Sequence, residues 1–307
     1  MAPLLLLFVG CVDYGVSRVG SADVFQQGAA EVPADILWVV DNSASMREEQ
    51  DTVSAHVDSF IDALRLSGVD FHIGVLTTDV SDAAVAGVLV GDVLTPATAD
   101  LATTLLDQVR VGTRGNRTEQ PLASVRAALA NVDNAPLARS DARLDVIVLT
   151  DEDDHSPDAV TDYLADLEAS EGSGGYRVSS IAGGLPEGCA SLAAQAEAGV
   201  RLYEAANGSD GLFESICQED FAGVMASLGL LAAGMVDRFP LTAIPELSSL
   251  EVRVDDVLIH QRPHDGWQYD AADNAIVFDG YAIPRPGQGI EVRYFDFLGQ
   301  ATEDTGS

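Results

Sequence analysis

The sequence predicts an α/β protein: a doubly wound, mostly parallel sheet followed by a smaller, C-terminal antiparallel β domain. Three observations carry this. Apolar runs without alternation, such as Ile36-Leu37-Trp38-Val39-Val40, recur between stretches of helical period; strands buried on both faces by crossover helices read this way. The composition is 47% apolar but only 6% aromatic, so Ala, Val and Leu must fill the core, which suits helices packed on parallel strands. Beyond about residue 238 the apolar period becomes two, with turn residues between short runs.

The elements follow in order. Leu4-Leu5-Leu6-Leu7-Phe8-Val9-Gly10-Cys11 is too short to span a bilayer and reads as the apolar core of a signal peptide. A small residue followed by Cys makes residues 1–11 resemble a bacterial lipoprotein signal with Cys11 lipidated; the alternative is a fortuitous apolar start. Residues 12–33, with Gly, Ser, Gln and Pro33, read as a tether. A strand at 36–40 ends at Asp41, and Met46, Val53, Val57, Phe60, Ile61 and Leu64 then recur at helical intervals. A second strand covers 71–76. Helices are expected at 99–110 and 119–131, the latter with Thr118 as N-cap. A third strand, 144–149, ends at Thr150-Asp151. A helix near 157–169, a Gly-rich turn at 172–175, a weaker strand at 177–182 and helices near 190–206 and 219–234 complete a domain spanning 34–237. The β domain is expected over 238–300, with strands at 250–254, 257–259, 267–269, 275–278 and 290–295, and 301–307 form a tail.

Charge excludes one class of function. The formal net charge is −33, with 49 acidic residues against 16 basic ones, all of them Arg. Nucleic acid binding needs a basic face and is not expected. Such acidity fits association with calcium or magnesium, a salty habitat or plain solubility. If the chain is exported, Cys189 and Cys217 become a candidate disulfide, closing a loop of about 29 residues, which in the chain-entropy model contributes about 3–4 kcal/mol. The alternative is two unrelated buried thiols.

The chemistry-bearing residues stand at strand ends. Asp41-Asn42-Ser43-Ala44-Ser45 follows the first buried strand and opens a helix, and Thr150-Asp151 follows the central strand. Open parallel sheets collect ligands at the carboxyl ends of strands, where strand order reverses. Two carboxylates and two hydroxyls there are hard oxygen donors, suited to Mg²⁺ or Ca²⁺. The alternative is that Ser43 and Ser45 only cap a helix and Asp41 only ends a strand.

The spacing D-x-S-x-S at Asp41, Ser43 and Ser45, with Thr150-Asp151 downstream, resembles the metal-ion-dependent adhesion site of the von Willebrand factor A (vWA) family, over residues 34–234. The resemblance implies one divalent cation, Mg²⁺ or Ca²⁺ with Mn²⁺ admitted, held by Asp41, Ser43, Ser45, Asp151 and a residue of a middle loop. Thr118 is expected in that last place, with Asn116 and Thr113 as alternatives. It also implies an under-neutralised cation that takes an Asp or Glu carboxylate from a protein partner. Looser similarity, through Asp151-Glu152-Asp153-Asp154 and the late cysteines, points to bacterial surface lipoproteins of this family. Of the four successive carboxylates, those other than Asp151 are read as solvated, the alternative being a second Ca²⁺.

The expected function is therefore an exported, lipid-anchored binding or adhesion protein of the bacterial cell envelope, touching the membrane only through its anchor. It is not expected to be an enzyme. No residue reads as a positioned nucleophile or base, and His155, the only His near the site, is read as facing solvent. Two alternatives stand: a metal-dependent hydrolase or phosphotransfer protein with Asp41 as nucleophile, and a calcium-stabilised structural envelope protein. Ser43 where a second acid belongs, and the lack of Lys, oppose the first.

Overall fold

The computed structural model describes residues 20–28, 32–170, 175–191, 195–218, 221–263 and 265–296. Cys11, His264 and the expected tail at 301–307 lie outside the described residues. The described chain forms two units, one of residues 20–26, 238–284 and 288–296, the other of 27–237 with 285–287.

The smaller unit opens with β1 (Gly20–Gln26), a stretch that composition assigns to a tether. Its inward positions carry the buried Asp23 and the half-buried Phe25, while Val24 points outward. An apolar–polar alternation of that inverted kind gives no strand signal in the sequence. Asp23 accepts hydrogen bonds from the Thr242 backbone and hydroxyl (2.9 and 2.7 Å) and from the Tyr294 hydroxyl (2.7 Å). Its burial is thereby compensated.

The larger unit is built on a five-stranded sheet of β2 (Ala34–Val40), β3 (Phe71–Thr77), β4 (Arg143–Leu149), β5 (Tyr176–Ala182) and β8 (Phe213–Ser215). The order is β3-β2-β4-β5-β8, and every pairing is parallel. All seven residues of β2 are buried, as a strand covered on both faces requires. Order reverses between β2 and β4: the chain leaves β2 for β3 on one side and returns to β4 on the other.

Helices cross to both faces. On one, α1 (Arg47–Ala55), α2 (Val57–Ser67) and α3 (Leu101–Val109) pack together with α7 (Phe221–Ala232). The single helix expected after Asp41 is thus two, divided at His56, whose φ of −120° and ψ of 9° leave helical geometry. On this face Trp38 meets Phe60 edge-on, ring centroids 5.3 Å apart. On the other, α4 (Pro121–Ala130), α5 (Val160–Ser170) and α6 (Val200–Asn207) lay Leu122, Val125, Tyr163, Leu167, Leu202 and Ala205 against Leu37, Val146 and Val178.

Two expectations need correction here. The helix expected at 190–206 begins at Val200; before it, β6 (Cys189–Ala190) and β7 (Gln195–Ala196) pair as a small antiparallel ribbon. The backbone bonds of this stretch go elsewhere: Glu197 N donates to Asp151 O (2.8 Å) and Gly199 N to Gly183 O (2.9 Å). The N-cap of α4 is Gln120, with Pro121 at the first helical position, and not Thr118. Cys189 and Cys217 form a disulfide with Cα atoms 6.1 Å apart.

The smaller unit contains two antiparallel sheets around one core. Strands β10 (Glu251–Val254), β11 (Val257–Ile259) and β14 (Gly289–Phe295) join β1 in the order β1-β14-β10-β11, and β9 (Arg238–Pro240), β12 (Trp267–Asp270) and β13 (Ala275–Phe278) form the second sheet. Phe239, Val252, Trp267, Ile276, Ile290 and Val292 fill the space between. Among the described residues no helix is long and apolar enough to cross a membrane.

Candidate functional site

The reversal of strand order brings the ends of β2, β3 and β4 side by side. Asp41 N donates to Leu149 O (2.9 Å), and Thr78 N donates to Val40 O (3.3 Å). Asp41 is fully buried at the centre of this rim. Its Oδ1 accepts from Ser43 N (2.6 Å) and its Oδ2 from the Thr150 hydroxyl (2.7 Å). The hydroxyl oxygens of Ser43 and Ser45 stand 3.0 Å apart. The Asp151 carboxyl meets the Ser45 hydroxyl and the Asp41 carboxyl. Asp41, Ser43, Ser45 and Asp151 therefore gather in one place.

The loops are fixed from behind. From α1, Gln50 donates to Asp41 O (2.8 Å) and to Gly112 O (2.9 Å). Gly115 N donates to Asn42 O (2.7 Å), and a Cβ at Gly115 would stand 2.1 Å from Asn42 Oδ1. Any larger residue there requires the Asn42 side chain to move.

Negative charge dominates the rim. Glu119, just before α4, is fully buried; its Oε2 accepts the Thr78 hydroxyl hydrogen, its carboxyl contacts that of Asp41, and Oε1 has no partner. Burial, reinforced by the Asp41 charge, pushes its pKa up to about 8. Burial also raises Asp151 to about 6, with Asp41 adding to the effect against the Ser45 bond. Glu49 and Glu152 shift upward for the same first cause, burial, joined by repulsion from their acidic neighbours. Asp151 Oδ1 and Glu49 Oε2 are buried without partners. Among the described residues, the arginine ion pairs bypass all five of these acids. Nor do three His, Cys, Asp or Glu side chains among them already surround one cation position; the donors about Asp41 mix hydroxyls with carboxylates.

The middle loop departs from expectation. Thr118 is exposed, and Thr113 meets Arg47 at 3.5 Å. Asn116 uses its backbone N–H to reach Asp79 Oδ2 (3.3 Å). Glu119 is the residue of this loop that reaches Asp41. Sequence reasoning missed it because an acid at the start of a helix reads as a favourable dipole partner.

The run Asp151–Asp154 is neither wholly solvated nor grouped as a second cation site. Asp153 Oδ1 accepts from the backbone N–H groups of Arg201 (3.0 Å) and Leu202 (3.4 Å), capping α6. The buried Asp154 accepts from Leu122 N (3.2 Å) and the Ser156 hydroxyl (2.6 Å), and pairs with Arg201 (2.9 Å). This loop supplies the cap that Thr118 was expected to give α4. Asp154→Ala is expected to destabilise the protein by about 2 kcal/mol, read as a lower urea midpoint with an unchanged slope. His155 is exposed, and its N–H donates to Glu119 O (2.8 Å).

No protein-family model and no curated protein matches the chain. Among solved structures it is similar to a von Willebrand factor type A protein from Catenulispora acidiphila, at 14% identity over 92% of this chain and 66% of that one, TM-score 0.44. It is also similar to the pilus adhesin SpaC from Lactobacillus rhamnosus GG in its open conformation, at 14% identity over 90% of this chain and 40% of that one, TM-score 0.46. Proximal thread matrix protein 1 from the mussel byssus is 14% identical over 71% of this chain and 51% of that one, TM-score 0.41. The chain thus spans two thirds or less of each. Its own topology, a parallel sheet with helices on both faces and a D-x-S-x-S loop at the reversal of strand order, makes residues 27–237 a doubly wound α/β domain.

Proposed function

We propose that this chain is an exported binding protein that holds one divalent cation, Mg²⁺ or Ca²⁺ with Mn²⁺ admitted, through Asp41, Ser43, Ser45 and Asp151, and offers it to a carboxylate of a protein partner. One observation carries the reading: buried carboxyl groups crowd Asp41 with unpartnered oxygens and, among the described residues, no arginine ion pair. Buried charge is costly unless paired or metal-bound, and oxygens of this type suit a hard cation. The ion would supply an open coordination position for an outside anionic oxygen.

Binding is favoured over covalent chemistry at Asp41, because both of its carboxylate oxygens are engaged, by Ser43 N and the Thr150 hydroxyl. The Cys189–Cys217 disulfide supports an oxidising compartment, and Cys11 as a lipid attachment point completes the proposal of a cell-envelope protein. Calorimetric titration of Mg²⁺, Ca²⁺ and Mn²⁺ into the protein tests the site; binding is expected, with Asp41→Ala weakening it at least a hundredfold. A Gly-Asp-Gly peptide is then expected to bind the metal-loaded protein, while Gly-Asn-Gly and EDTA-treated protein give no heat. Equal metal binding by the wild type and Asp41→Ala would refute the proposal.

A further inference from the structure

The buried carboxyl of Glu119 has no role in the proposed donor set, yet it lies deeper than any hydroxyl of its loop. Residues 113–118 are half-buried or exposed, whereas Glu119 has no exposed surface. Three contacts fix its orientation. Glu119 O accepts from His155 N (2.8 Å), Gln120 N donates to Thr78 O (3.3 Å), and the Thr78 hydroxyl donates to Glu119 Oε2. Pro121 at the start of α4 holds the adjoining backbone in one conformation. The carboxyl is thereby directed at Asp41 with Oε1 left unpartnered, and Asp151 Oδ1 is unpartnered across the same rim.

Two buried carboxyl groups in contact, with no arginine ion pair among the described residues, either share a proton or hold a cation between them. If Glu119 served only to bond Thr78, a neutral amide would do as well, and Oε1 would have no reason to face an acid. We propose that Glu119 is a ligand of the divalent cation, standing where a hydroxyl of the 113–118 loop is expected, so that three carboxylates, of Asp41, Glu119 and Asp151, join Ser43 and Ser45 around the ion. This rests on the cation reading above and names a donor that the family pattern does not. Among the described residues the carboxylates about Asp41 do not enclose a single point, so holding an ion here would require Glu119 Oε1 and Asp151 Oδ1 to turn inward.

The consequence is chemical. Three carboxylates exceed the charge of a divalent ion, so the cation is retained without a partner. The attraction left for an outside acid is smaller than in a site with fewer carboxylates.

Calorimetric titration of Mg²⁺, Ca²⁺ and Mn²⁺ into wild type, Glu119→Gln and Asp41→Ala tests this, with thermal unfolding of each in EDTA. Glu119→Gln is expected to raise the Kd of the metal at least tenfold and, in EDTA, to unfold close to the wild-type temperature, because the amide can still accept the Thr78 hydrogen bond and carries no charge beside Asp41. Wild-type affinity in Glu119→Gln, with binding lost in Asp41→Ala, overturns the role of Glu119 and leaves the cation site standing. Wild-type affinity in Asp41→Ala removes the cation site itself. A Glu119→Gln protein that unfolds well below wild type in EDTA makes Glu119 a structural carboxyl and also overturns the proposal.

Discussion

Saturating Mg²⁺ or Ca²⁺ is expected to raise the unfolding temperature of the α/β unit by about 5–10 °C over its value in EDTA, and Asp41→Ala to abolish the rise. A ligand that binds only the folded state at a hundred times its Kd stabilises by about 2.7 kcal/mol, and a domain of this size gains about 2–4 °C per kcal/mol. Asp41 is decisive because its backbone and both carboxylate oxygens tie β2 to β4 and to the Ser43 turn. Differential scanning calorimetry checks this, and a rise retained in Asp41→Ala would contradict it. Equal ionic strength of NaCl, which screens surface repulsion alone, is expected to give a smaller rise.

In EDTA, acidification from pH 8 to pH 5.5 is expected to stabilise the protein, on the order of 3 kcal/mol. Folded, Glu119 takes up its proton near pH 8, and Asp151 and Asp145 take up theirs near pH 6. Burial is the first cause in all three, and at Asp145 it outweighs the attraction of Arg143 and Arg177. Unfolded, the same side chains ionise near pH 4. Between pH 4 and pH 8 the folded state therefore binds more protons, and stability falls as pH rises through the folded pKa values. Mg²⁺ or Ca²⁺, bound as proposed, would hold the rim carboxylates ionised, so saturating metal is expected to flatten the slope. Urea unfolding at a series of pH values, with and without metal, measures both. A metal-free protein that loses stability on acidification over this range would contradict the assignment.

The elements legible in the sequence are those whose physics is local. Ile36–Val40 and Val146–Leu149 are continuous apolar runs because helices cover both sides, and the period alone announces them. The gathering of Asp41, Ser43, Ser45 and Asp151 was legible too, since strand ends at a reversal of order must meet. What escaped depends on distant partners. β1 pairs with a strand at the far end of the described chain and turns Asp23 inward. The short strands β8 and β9 take their register from neighbours. Glu119 and Thr118 are adjacent in sequence and differ only in which the loop buries. Asp153 and Asp154 look like surplus surface charge until α4 and α6 present their N–H groups.

The partnership of β1 with β14 has a consequence for the order of assembly. Asp23 and Tyr294, which close this sheet, are 271 positions apart, so the smaller unit cannot be completed until nearly all of the described chain has left the ribosome. The parallel-sheet unit is almost contiguous and can condense while synthesis continues. Its neighbour, dominated by pairings of long sequence separation, is the late-folding part. Until β1 docks, β14 presents an open backbone edge to which other nascent strands can add.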